Sequence, residues 1–141
     1  MPSPVVENAQ PAESLLGASI AFLKRYPPFD EMDDSAVRFL AGHLNLAYYP
    51  MGSVILSPKS GLPQHFYIVQ RGLVQLLPAE GYHVSNVDVV TLGPGECFSV
   101  YALMEKRAVG SPYTAAADTF CYQIPADIFA ELLHLSPRFL E

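Results

Sequence analysis

A chain of 141 residues with a net charge of −6, and no basic run longer than Lys24-Arg25, lacks the cationic face that neutralises phosphates; direct nucleic-acid binding is excluded. The length suits one domain around a single core, and a half-apolar composition with 13 prolines and 9 glycines spread along it describes a globular, β-rich class. No run approaches the roughly 20 apolar residues that span a bilayer, and two cysteines, Cys97 and Cys121, are too few for a disulfide framework; a soluble protein of a reduced cytoplasm, with no membrane partner, is expected.

Residues 1–11 carry Pro2, Pro4 and Pro11 and few large apolar groups, and read as a flexible arm; the folded domain is expected over 12–141. A first helix is predicted over 13–25, with Leu16, Ile20 and Leu23 facing inward and Lys24 and Arg25 at its negative end before Pro27-Pro28 stop it. A second is predicted over 34–44, capped by the acidic start at Asp33, Asp34 and Ser35 and striped by Val37, Leu40, Ala41 and Leu44. Phe29, between them, reads as a core plug.

From Asn45 the period shortens to two and turn residues recur every eight to twelve positions, the signature of an antiparallel sandwich or roll over 45–124. The strands predicted are 45–49, 53–57, 65–70, 73–78, 86–91, 113–117 and 119–124. Pro50-Met51-Gly52 is a turn, Ser60 to Pro63 a loop, and Arg71-Gly72 is expected to close a hairpin. Phe66-Tyr67-Ile68-Val69 is apolar on both faces and so belongs at the centre of a sheet, while Ala79 to Tyr82 opens a longer loop. A C-terminal helix is predicted over 125–135, with Pro125 in its first position and Ile128, Phe129, Leu132 and Leu133 on one stripe. Arg138 to Glu141 reads as the opening of another helix, so the chain is expected to continue.

Residues 92–118 organise the rest. They read as strand end, glycine turn, short helix, loop and new strand, an order that aims free backbone N–H groups of Ser99 to Leu103 at a concave site able to seat an anion. Gly93 and Gly95 give the turn its conformational freedom and Pro94 fixes it. The same pattern also serves in a turn that only changes direction.

Gly95, Glu96, Phe98, Ala102 and Leu103 resemble the phosphate-binding cassette of the cyclic nucleotide-binding domain family, Gly-Glu-x-Phe-Gly-Glu-Leu-Ala-Leu followed by Pro-Arg-x-Ala. The likeness extends from Phe22 to Phe139 through Tyr48 to Gly52, Phe66 to Gly72, Ala115 to Asp118 and Phe120 to Pro125. It implies a mainly β fold with flanking helices, an eight-stranded β-roll of the double-stranded β-helix or jelly-roll kind. Laid on the chain without a gap, the cassette places Ser99 at its second glycine, Val100 at the glutamate that takes the ribose hydroxyl, and Ala108 and Val109 at its Pro-Arg. The arginine of that pair holds the cyclic phosphate in the family. Lys106 and Arg107 are the substitute cations nearby, or solvated loop charges. The early Pro-Pro-Phe-Asp and the closing Pro-x-x-Phe-x-x-Leu-Leu are also similar to the sensor domain preceding cystathionine-β-synthase and nucleotidyltransferase domains in bacterial signalling proteins.

Other residues carry less. Tyr101 faces either pocket or core; Glu96 is a ligand group or a solvated turn carboxylate; Asp118 is expected to shape a turn. Thr114 is expected to offer a polar contact on the pocket strand, with Phe66 and Val74 as apolar walls. His43, His65, His83 and His134 lack metal-ligand spacing, Ser99 lacks a nearby histidine, and Cys97 lacks an evident base, so neither a metal, a cofactor nor catalysis is expected. Two functions stay open. One is a regulatory domain that binds cyclic AMP, cyclic GMP or another small anion and signals to an attached output domain. The other is a degenerate module that binds no ligand and mediates domain or homodimer contacts.

Overall fold

The structure, a computed structural model, describes residues 16–76 and 90–136. Among the described residues, eight strands form two four-stranded antiparallel sheets, joined and flanked by helices. One sheet has the order β1 (Asn45–Tyr49), β8 (Thr119–Pro125), β3 (His65–Arg71), β6 (Cys97–Phe98). The other runs β2 (Val54–Leu56), β7 (Tyr113–Ala115), β4 (Val74–Leu76), β5 (Val90–Leu92). This is the mainly β roll with flanking helices that the family resemblance implies, one of the two arrangements, sandwich or roll, that the strand spacing leaves open. The arm at 1–11, the start of the first helix, the loop opened by Ala79, His83 and most of the 86–91 strand lie outside the described residues.

Alternation along β3 builds two cores, because successive side chains point to opposite faces. Phe66 and Ile68 join Ile124 of β8 on the face covered by helices; Tyr67 and Val69 join Cys121 inside the roll, with Leu56, Val74 and Phe98. Burial on both faces explains why this strand reads as continuously apolar. A fully buried aliphatic or aromatic side chain here stabilises by roughly 1.5–3 kcal/mol.

Three helices close the outer face. Residues 16–23 are helical (α1), burying Leu23 fully and Leu16 and Ile20 in part. Helix α2 (Asp34–Ala41) buries Ala36, Val37, Leu40 and Ala41, and Phe29 fills the corner between the two helices as expected. Helix α4 (Ala126–Leu135) buries Phe129 and Leu132 and packs on α2 and β3. A short helix, α3 (Val100–Glu105), packs against β3.

The structure corrects several local expectations. Helix α2 ends at Ala41, since Gly42 takes the capping position, and Leu44 follows outside it. Its N-cap, Asp33, makes no side-chain capping bond; the neighbouring Asp34 instead accepts from Lys24 Nζ at 2.6 Å, tying α2 to the end of α1. Pro125 closes β8 opposite His65 and stands one position before α4 rather than inside it.

Arg71-Gly72 forms no hairpin, because β3 and β4 belong to different sheets. Gly72, at φ 101°, is where the chain crosses between them, and a side chain there would run into Asp118 O and Thr119 Oγ1. Thr119 Oγ1 accepts from Leu73 N at 3.2 Å and lies 3.0 Å from Leu73 O, which pins the crossing. Asp118 does shape a turn, its Oδ1 accepting from Met51 N at 3.0 Å.

Candidate functional site

The turn at Gly93-Pro94-Gly95 holds the cassette against the roll by backbone and side-chain bonds. Gly95 N donates to Val69 O at 2.8 Å, Val69 N to Glu96 O at 2.9 Å, and Gly93 N to the Glu96 carboxylate at 2.7 Å. Glu96 is thus spent on closing its own turn. Gly95 is buried at φ 88°, with the Tyr26 ring occupying the space where a side chain would project. Two residues on, Cys97 and Phe98 pair with Ile68 and Tyr67, an edge strand that sequence pattern did not reveal.

Ser99 then turns the chain into α3 with φ 76°, in the left-handed region that side chains resist. This backbone geometry accounts for the glycine usual at that cassette position. Its hydroxyl donates to His65 O at 3.0 Å, and its carbonyl accepts the first helical bond, from Leu103 N, at 3.1 Å. The amides of residues 100 to 102 precede that bond and have no partner within the helix.

Beneath α3 lies a cavity of about 630 Å³, within the usual range of small-molecule sites. Of the residues singled out from the sequence, Phe98, Ser99, Val100, Tyr101, Ala102, Arg107 and Val109 line it. Four others do not. Gly95 and Glu96 serve the turn, and Leu103 packs against the helix-side core. Thr114 faces outward, since β7 pairs Tyr113 with Leu76 and Ala115 with the buried Val74, leaving Thr114 opposite Gln75 and the exposed Val54. The expected walls also move: Phe66 belongs to the helix-side core, and Val74 lies in the roll interior, where Leu76, Leu92 and Tyr113 form the lining instead.

Pro27 and Pro28, from the segment after α1, complete the cavity. Nothing in their local sequence marks them for this; the preceding Tyr26 packs on Gly95 of the cassette turn. Tyr113 could have been found by asking which face Ala115 must take two residues on.

Among the described lining residues the charged one is Arg107. Its Nε is ion-paired with the Glu105 carboxylate and its Nη1 donates to Ala108 O at 3.3 Å. Burial raises the pKa of the Tyr113 phenol, and the Arg107 charge pulls the other way, so the two groups share one electrostatic neighbourhood. Burial, assisted by the Glu96 charge, pushes the Cys97 thiol up to about 12, although the residue as a whole keeps some exposure. Cys121 is likewise pushed up to about 12 by burial. Neither thiol offers a thiolate near neutral pH. Among the described residues, no group of three His, Cys, Asp or Glu side chains is placed to hold a metal ion, and no helix is long and apolar enough to cross a membrane.

A family model for the cyclic nucleotide-binding domain matches residues 46–136, from β1 to the end of α4. The chain belongs to that family. Solved structures share the fold. The regulatory domain of Toxoplasma gondii PKA, co-crystallised with cAMP, superposes with a TM-score of 0.79 at 21% identity over 88% of this chain and 47% of that one. The regulatory subunit of a cAMP-independent protein kinase A from Trypanosoma brucei gives 0.76 at 17% identity over 92% and 47%. Thermus thermophilus catabolite activator protein gives 0.60 at 24% identity over 72% and 47%. The chain spans about half the length of these structures, and at such identities the likeness establishes the fold. Within this cyclic nucleotide-binding domain, Val100 and Val109 stand on the cavity wall.

Proposed function

We propose that this domain is a ligand-sensing regulatory module. A small molecule, a cyclic nucleotide or another small ligand, occupies the β-roll cavity, and an attached output domain reads the occupancy. The observation that carries this reading is the cavity of about 630 Å³ lined in part by the cassette segment of a cyclic nucleotide-binding fold. Regulatory domains of similar fold are described with cAMP, among them a triple variant of the trypanosome subunit. The domain itself acts by differential affinity rather than by chemistry: a ligand that binds better to one arrangement of α3 and α4 draws the population toward it. Helix α4, packed on α2 and β3, is the element from which an output domain would read the change.

An interaction module is the second reading. It is favoured by Leu46 and Tyr48, exposed at 54% and 52% on the helix-side face of edge strand β1. Such apolar exposure suits contact with a neighbouring domain or a second copy.

Calorimetric titration of the chain at low salt with cyclic AMP, cyclic GMP and the corresponding nucleosides separates the two. Loss of a charge-assisted contact costs about 1.5–3 kcal/mol, so a nucleotide otherwise bound at micromolar strength should bind here at about 0.1 mM. Saturable heat with at least one of these ligands supports a sensor. A flat titration with all of them, and no thermal stabilisation, leaves the interaction module.

A further inference from the structure

The side chains of the cavity wall are not those of an anion site. Val100 and Val109 line it, and Val109 is buried. The guanidinium of Arg107 already holds the Glu105 carboxylate, so the pair presents little net charge. The Ser99 hydroxyl donates its proton to His65 O and has none left for a phosphate oxygen. An anion entering such surroundings meets the backbone amides of residues 100 to 102 but no uncommitted side-chain cation or hydroxyl to offset its lost hydration.

The same wall presents ring surface. Tyr67 and Phe98 stack with centroids 4.7 Å apart at 5°, and Phe98 and Tyr113 stack at 4.7 Å and 17°. Tyr67 and Phe98 are buried; Tyr113, the last of the row, stands half-buried on the cavity wall. One ring face of Tyr113 is taken by Phe98, and Tyr113 also borders the cavity, where a ligand with a flat ring would meet this aromatic row.

We propose that the cavity takes an uncharged planar ring compound, stacked on Tyr113 and enclosed by Leu76, Leu92 and Val109, in preference to a cyclic phosphate. This rests on the cavity being a ligand site, as proposed above, and specifies the class of ligand.

Adenosine and cyclic AMP share a ring system and differ in the charged cyclic phosphate, so their titration against the chain is the test, with the uncharged fluorophore N-phenyl-1-naphthylamine as a third probe. Adenosine is expected to bind at least about tenfold more tightly than cyclic AMP, roughly 1.4 kcal/mol, and to displace the fluorophore. Tyr113→Leu, which keeps apolar bulk and removes the ring, is expected to weaken adenosine several-fold with the melting temperature retained. Should that variant not fold, Val109→Arg serves instead: an unpaired cation in the wall is expected to reverse the preference. Cyclic AMP binding more tightly than adenosine to the unaltered chain, or a preference that Val109→Arg leaves unmoved, overturns the proposal and keeps the sensor. Failure of all three probes to bind overturns both.

Discussion

The ring of Tyr26 fills the space in front of the Gly95 α-carbon, so the segment after α1 is fastened to the turn that opens the cassette. Tyr26 also packs on Phe22, with ring centroids 5.0 Å apart, which carries the connection back into α1. Through this one contact the cassette, the helical cover and the Pro27-Pro28 wall of the cavity are held in register.

Gly95→Ala is therefore expected to destabilise the domain by more than the ~1–2 kcal/mol of left-handed backbone strain, because the Tyr26 ring must also move. Urea unfolding measures it. Combining Gly95→Ala with Tyr26→Ala should cost less than the sum of the two single changes, since the second removes the obstacle met by the first.

Ser99 sets up a compensation. Ser99→Ala loses the hydrogen bond to His65 O and keeps the strained φ of 76°, and is expected to cost about 1 kcal/mol. Ser99→Gly loses the same bond but relieves the strain, and should fall close to the parent in denaturant midpoint. A β-branched Ser99→Val should be the most destabilised of the three.

Restoring the family's charged pair should restore affinity for the phosphate. Val109→Arg, and more strongly Val100→Glu with Val109→Arg, is expected to raise cyclic AMP affinity by about tenfold or more, a charge-assisted contact of about 1.5–3 kcal/mol. Both positions line the cavity, although Val109 is buried in the roll core and Val100 packs on the helix-side core, so thermal unfolding of each variant accompanies the titration. Calorimetry on the single and double variants reads the outcome.

Stability should fall at alkaline pH. The Cys97 and Cys121 thiols and the Tyr67 phenol are each pushed up to about 12, the first two from 9.0 and the last from 10.0, chiefly by burial. A pKa raised in the folded state means that the unfolded chain releases its proton first. Each group's contribution is complete below its unfolded pKa and is lost as pH rises toward 12, at up to about 1.4 kcal/mol per pH unit for each group. Unfolding free energy followed from pH 8 to 11 should decline from about pH 9, and Cys121→Ala should soften that first decline.

The fold was legible where side-chain pattern and environment agree. Phe66 to Val69 reads as a central strand because both its faces meet apolar partners, and the stripes of α2 and α4 follow from helical period alone. Features set by distant partners were not legible. Cys97–Phe98 is a strand only because Tyr67 and Ile68 lie beside it, and two residues have no periodicity to read. Gly72 looks like any hairpin glycine until the second sheet shows that the chain changes layers there. Within the site, the cassette segment announced itself, but the facing wall did not: polarity favoured Thr114, whereas pairing with Val74 and Leu76 turns Ala115 and Tyr113 inward.

The most direct test of a working cavity is an amide chemical-shift titration of the chain with adenosine and with cyclic AMP. The expected result is a saturable set of shifts confined to residues around the cavity, led by Phe98, Val100, Ala102, Val109 and Tyr113, and larger at equal concentration for adenosine. Shifts that fail to saturate, or that gather instead at Leu46 and Tyr48 on the far face, would contradict a ligand-sensing domain.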